Sequence, residues 1–216
     1  MAAVFPPWSN TAFRVAIVVI ALGGFSALAA PMIWVRTPWV RAQNEAPNQP
    51  VEFDHRHHAR DDGIDCKYCH NTAHRAATAG MPSTDKCMGC HEQIWGQSPL
   101  MEMVRRSYFS GAPIPWNRVH QLPDFVYFNH AIHVNKGFGC STCHGRIDQM
   151  AAVYQVASLS MGWCLDCHRQ PERFIRPLDQ ITNMDWTAGD RQLEIGRRLV
   201  SALGIRSLTG CTTCHR

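Results

Sequence analysis

No cysteine in this 216-residue chain stands outside one repeated motif. The ten cysteines form five copies of Cys-x-x-Cys-His: Cys66/Cys69/His70, Cys87/Cys90/His91, Cys140/Cys143/His144, Cys164/Cys167/His168 and Cys211/Cys214/His215. A disulfide scaffold needs an even cysteine count, which is present, but no histidine at a fixed offset. A zinc ribbon needs two cysteine pairs per metal, and five is odd. Lysine is also scarce, at 3 residues against 18 arginines. None of the three lysines takes the place of a motif histidine, so no variant Cys-x-x-Cys-Lys site with an open iron is present.

What remains is the attachment signal for c-type haem. Two thiols three positions apart reach the two vinyl groups of one porphyrin, and the following histidine is the proximal iron ligand. The reading is five covalently bound haem c. Cys66, Cys69, Cys87, Cys90, Cys140, Cys143, Cys164, Cys167, Cys211 and Cys214 form the thioethers, and His70, His91, His144, His168 and His215 are the proximal ligands.

Chain length is the next scarcity. Setting aside the first 36 residues leaves 180, or 36 per haem. That is too little to build a large core from side chains alone, so the porphyrins are expected to be the core. Thirteen prolines and fifteen glycines agree with short segments and many loops. The expected fold is mostly α and irregular, a multihaem cytochrome c arrangement of short helices around haem, plus one N-terminal transmembrane helix. The arginine excess is read as pairing with about ten haem propionates, a task suited to planar guanidinium groups. The formal charge of +4 then does not signal a nucleic-acid partner.

Only one long apolar run occurs. Residues 15–35 carry no charge and are long enough to span a bilayer as a helix. Arg14 and Arg36 bracket the run, Trp34 and Trp39 sit at interfacial positions, and Pro31 lies near the outer end. The competing reading is a cleaved export signal, since residues 27–29 read Ala-Leu-Ala. The run exceeds the usual signal core, which favours a retained anchor. Haem attachment takes place outside an energy-transducing membrane, so the expected placement is a single pass in a bacterial cytoplasmic membrane. The N-terminus would lie inside and the haem domain on the periplasmic side.

An element Phe-x-His-x-x-His followed by two motifs occurs twice, from Phe53 and from Phe128. Phe to first cysteine is 13 and 12 residues, and first cysteine to next motif is 21 and 24. Histidines at i and i+3 share one side of a helical turn and can reach two irons. Seven histidines lie outside the motifs. From these, His55, His58, His120, His130 and His133 are taken as distal ligands, giving five bis-histidine haems. His57 would point away from His58, and His74 is read as facing solvent or a propionate. Met81, Met101, Met103, Met150 and Met161 are the alternative ligands.

The chain therefore divides into a flank and anchor (1–36), a linker (37–52), a first two-haem module with a long connection (53–127), a second two-haem module (128–180), and a C-terminal helix with the fifth site (181–216). Residues 92–123 are read as a docking surface or a loop over the haems. Asp190 is read as the N-cap of an amphipathic helix running to Leu203 and closed by Gly204, with Leu193, Leu199, Val200 and Leu203 as its apolar stripe and a Glu194–Arg198 pair.

These modules resemble small multihaem cytochromes of the c7 and c3 type. The ordered segments FDHRHH…CKYCH…CMGCH, LPDFVYFNHAIH…CSTCH…CLDCHRQPE and GIRSLTGCTTCH are similar to the pentahaem cytochrome c subunits of bacterial alternative complex III. That resemblance implies electron conduction from quinol-oxidising and iron–sulfur subunits to a monohaem cytochrome or soluble carrier outside the membrane. It implies polytopic quinol-binding partners, contact with membrane lipid, no nucleic acid and no substrate catalysis by this chain alone. The alternative is a membrane quinol dehydrogenase of the tetrahaem type, with its own quinol site, feeding a periplasmic reductase.

Overall fold

The computed structural model describes residues 4–215, which divide at Gln43/Asn44 into two units. The division falls inside the 37–52 stretch read as a linker.

The first unit is dominated by helix α1, Ser9–Trp34. Its 26 residues give a length of about 39 Å. None of them is buried, and it is the one helix among the described residues long and apolar enough to cross a bilayer. α1 starts six residues before the charge-free run and so includes Arg14. Pro6 and Pro7 stand just before it, and the amide of Ser9, the first helical residue, donates to the Pro6 carbonyl at 3.0 Å. Pro31 does not end α1: its carbonyl accepts the amide of Val35 at 3.0 Å.

The second unit is mostly helical and has no sheet; two isolated bridges, Val126 with His215 and Phe138 with Ile175, are its extended pairings among the described residues. Its helices are short: α2 Cys66–Cys69, α3 Thr84–His91, α4 Glu102–Ser110, α5 His130–Asn135, α6 Cys140–His144, α7 Met161–Arg169, α8 Gln192–Ala202 and α9 Cys211–Cys214. Side-chain caps fix several starts. Asp65 accepts from the Lys67 amide, Asn129 from Ile132 and Ser160 from Trp163.

The side-chain core is small. Met88, Met101, Val104 and Ile114 form its main cluster, with Val51, Cys87, Met103 and Trp116 against it. Met88 lies inside the second motif, so residues 92–123 are not merely a loop. Their helix α4 packs against α3 and seats that motif. The rest of the buried hydrophobic set is Met150, Ile175 and Ile181.

Near the C-terminus the structure corrects the cap assignment. Residues Gly189–Arg191 form a 3-10 turn, with Asp190 in its middle, and α8 begins at Gln192 without a side-chain cap. Gly204 does close the helix, in the left-handed region at φ +58°. Glu194 and Arg198 pair at 3.4 Å. The stripe also differs: Leu193 is exposed, and the buried position of α8 is Gly196. A Cβ there would lie 1.9 Å from the carbonyl oxygen of Glu172. The Gln192 amide donates to the carbonyls of Glu172 and Ile175 at 3.0 and 2.9 Å. α8 is thus locked on the 3-10 turn Pro171–Arg173 that follows α7.

Candidate haem sites

Each motif sits on one helical segment: the first on α2, the second on α3, the third on α6, the fourth on α7 and the fifth on α9. Helical periodicity puts residues i, i+3 and i+4 on one face, so two thiols and the start of the histidine side chain project together. All ten cysteines are free thiols.

The imidazoles share a hydrogen-bonding habit. Nδ1 of His70 bonds the Gly80 carbonyl at 3.0 Å, that of His91 the Ile94 carbonyl at 3.0 Å, and that of His215 the Phe125 carbonyl at 3.2 Å. Outside the motifs, Nδ1 of His58 bonds Asp54 O at 3.0 Å, His130 Ala77 O at 3.1 Å and His133 Asn129 O at 2.8 Å. A carbonyl only accepts, so Nδ1 carries the proton in each ring. Nε2 keeps its lone pair, the tautomer of a metal ligand with its second nitrogen anchored.

The rings are also paired. His58 lies opposite His91 with centroids 6.0 Å apart, His133 opposite His168 at 6.1 Å, and His130 opposite His144 at 6.4 Å. With metal–nitrogen bonds of about 2.0 Å on both sides, two imidazoles sharing one metal stand roughly 6.3 Å apart between centroids. In the duplicated element, the second histidine faces the second motif of its module in both copies. Phe53 stacks on His58 at 4.4 Å and Phe128 on His133 at 4.5 Å, which accounts for the phenylalanine that opens each element. Among the charged neighbours of His55, His70 acts on it most strongly. His120 stands beside the third motif: its ring is 4.4 Å from that of His144.

Burial favours the neutral form of five of these rings, His55, His120, His130, His133 and His144. It lowers His55 from 6.5 to about 4 and His144 to about 3, with neighbouring imidazoles adding to the effect. It lowers His120, His130 and His133 as well. Two of the thiols move the other way: burial pushes Cys143 up to about 12 and Cys167 to about 11. Among the described residues, no three His, Cys, Asp or Glu side chains converge on a metal-sized point.

Two buried polar atoms complete the fit to haem. Nδ1 of His55 is buried without a partner, and so is Nε of Arg176. Arg176 lies against Gly139, the residue before the third motif, where a Cβ would come within 2.2 Å of that Nε. Its other nitrogens donate to Asn183 O at 3.0 Å and Ser141 Oγ at 2.9 Å. A guanidinium with one donor free beside a motif suits a propionate. Thiol pairs, neutral imidazoles in facing pairs and this free donor together fit haem c.

The other arginines only partly follow the propionate expectation. Arg146 and Arg60 bind Asp148 at 2.7 and 3.0 Å, and both reach Asp185. Arg56 is held by Asp54, and Arg105 and Arg106 by Glu102. His57 is exposed and 3.9 Å from both Asp61 and Asp62, with no motif histidine beside it. His74 does not face solvent: its Nδ1 is buried without a partner. Met101 and Met150 are buried, whereas Met81 and Met161 are exposed.

Asp148 carries a pH prediction. Its carboxylate is buried, and hydrogen bonds from Arg146 and then Arg60 hold it below the ordinary 3.8. The folded state therefore keeps a charge that the unfolded state loses first. The stabilisation is complete above about pH 4 and disappears as pH falls through the lowered folded value. Both arginines are partly exposed, which limits the gain to about 1–3 kcal/mol. Thermal unfolding of Asp148→Asn is expected below that of the unmodified chain at pH 7, with the gap closing in acid.

The fold and these sites fit a multihaem c-type cytochrome domain. Residues 126–216 match the family "Cytochrome c7 and related cytochrome c". The chain is also similar to "Menaquinone reductase, multiheme cytochrome c subunit" from Nitratidesulfovibrio vulgaris (strain Hildenborough), with 35% identity over 112 residues, or 51% of each chain. This chain thus spans about half the length of that curated relative.

The motifs form a succession in space. Lys86, next to Cys87, places its ammonium 4.7 Å over the ring of Tyr68, inside the first motif. Cys69 lies within electrostatic reach of Cys90, and Cys87 of Cys69. Cys66 and Cys140 interact side chain to side chain. Their helices start against adjacent residues: Thr182 donates to Asp65 at 2.6 Å, and Ile181 O accepts the Cys140 amide at 3.0 Å. Cys143 neighbours Cys164 and Cys167, and Cys164 neighbours Cys214. The order is second, first, third, fourth, fifth. The two terminal motifs carry the two exposed cysteines, Cys90 and Cys211.

Proposed function

We propose that this chain is a membrane-anchored pentahaem cytochrome that conducts electrons from quinol-oxidising and iron–sulfur subunits of a quinol:acceptor oxidoreductase, of the alternative complex III kind, to an acceptor outside the cytoplasmic membrane. The observation that carries this reading is the succession of motif neighbours, with its exposed cysteines at the two ends. Five haems held in that order supply a relay of one-electron carriers. The chain's residues fix ligands, spacing and access. His58 with His91, His133 with His168, His130 with His144, and His55 with His70 are the pairs that would hold the irons. Two imidazoles on one iron favour the low-spin state with no place for substrate, which at these four haems suits conduction rather than catalysis. Helix α1 is the proposed membrane anchor, with the haem unit on the periplasmic side.

A second reading rests on the relative's description as part of a menaquinone reductase: the chain exchanges electrons directly with a membrane quinone. Purification from membranes under mild detergent separates the two. The first reading requires co-purification with polytopic and iron–sulfur subunits, and no oxidation of a quinol analogue by the isolated chain. Quinol oxidation by the isolated chain would establish the second.

A further inference from the structure

Six imidazoles in the haem unit anchor Nδ1 on a backbone carbonyl. His144 does not: its Nδ1 lies 3.2 Å from Nε2 of His120. His144 is the proximal residue of the third motif, so with haem attached there its Nε2 is the iron-binding nitrogen and its Nδ1 bears the proton. A proton donated from Nδ1 to His120 occupies the very atom through which His120 would bind a metal. Distance leads to the same conclusion. The His120 and His144 rings are 4.4 Å apart and edge-on at 76°, well short of the roughly 6.3 Å that two imidazoles need across one metal. His130 meets that requirement, 6.4 Å from His144 and nearly parallel to it at 12°.

We propose that His120 is a positioning residue of the third motif, accepting the Nδ1–H of His144, and that His130 is the imidazole across the iron from His144. The inference rests on the proposed haem attachment at Cys140 and Cys143. His120 comes from the segment before the second duplicated element and is half-buried. It performs the task that carbonyls perform at the first, second and fifth motifs. An acceptor at Nδ1 fixes the ring orientation and makes the ligand more basic, which favours ferric iron. His120 thereby leaves the set of distal ligands named from the sequence.

The test is electron paramagnetic resonance of the oxidised, haem-loaded chain, with peptide mass spectrometry of the third motif. In His120→Ala the number of high-spin haems is expected to equal that of the unmodified chain. One low-spin signal shifts, and the potential of that haem rises. In His120→Gln the amide oxygen can accept the same hydrogen, so the signal is expected to return towards its original position. A new high-spin haem in His120→Ala overturns the assignment, because it marks an axial ligand. If His120→Ala fails to load haem, His120→Gln decides: an unchanged low-spin set supports positioning, and a high-spin haem refutes it. Absence of haem on Cys140 and Cys143 in the unmodified chain overturns the underlying reading instead.

Discussion

Replacing His133 with alanine is expected to convert one haem in five from low-spin to high-spin. His133 lies 6.1 Å from His168 between ring centroids, its Nδ1 is anchored on Asn129 O at 2.8 Å, and Phe128 stacks on its face at 4.5 Å. Every feature that directs Nε2 towards the fourth motif is therefore supplied by neighbouring residues, and an alanine leaves the iron with His168 alone. The potential of that haem rises, because the lost imidazole is a donor that favours ferric iron. His57→Ala is the matched control. That ring is 62% exposed and has carboxylates rather than a motif histidine beside it, so its removal leaves the spin states unchanged. Resonance spectra of the two oxidised variants, side by side, check the assignment.

The largest effect on stability is expected at Gly196. Alanine in a helix interior ordinarily gains about 1 kcal/mol over glycine. Here the added methyl meets the Glu172 carbonyl at 1.9 Å and its Cα at 2.8 Å. These are backbone atoms in the turn after the fourth motif, so the strain cannot be relieved by a rotamer change. Overpacking of this kind costs about 1–3 kcal/mol and more where backbone must move. The cost exceeds the gain, and a net loss of about 2 kcal/mol would lower Tm by about 4–8 °C. In Gly162, on α7, the same methyl meets nothing within 4 Å, and Gly162→Ala is expected to be neutral or slightly stabilising. Calorimetry of both haem-loaded variants tests the contrast.

The candidate haem-binding positions are legible in the sequence because the chemistry is local. Two thiols and a histidine at i, i+3 and i+4 share a helical face, and a duplicated Phe-x-His-x-x-His element shows its role through repetition. The two phenylalanines could be read as part of that element, but not as the rings stacked on His58 and His133. His120 was beyond such reading, since its position depends on a partner 24 residues away. The same holds for Asp148, joined to Arg60 from 88 residues earlier, and for the cluster of Met88, Met101, Val104 and Ile114 that gives residues 92–123 a packing role. Asp190 has the composition of an N-cap. The 3-10 turn that precedes α8 absorbs it, and the helix start falls instead where Gln192 can bond the turn at 171–175. Gly196 carried no signal, because a glycine in a helical pattern reads as a weakness until the backbone that presses on it is known.

The central claim, that all five motifs bind haem covalently, is tested most directly by a pyridine haemochrome assay and iron analysis of the purified chain after acid–acetone extraction. The account predicts five haems and five irons per chain, all retained through extraction. Fewer than five, haem that extracts into acetone, or zinc in place of iron would contradict it.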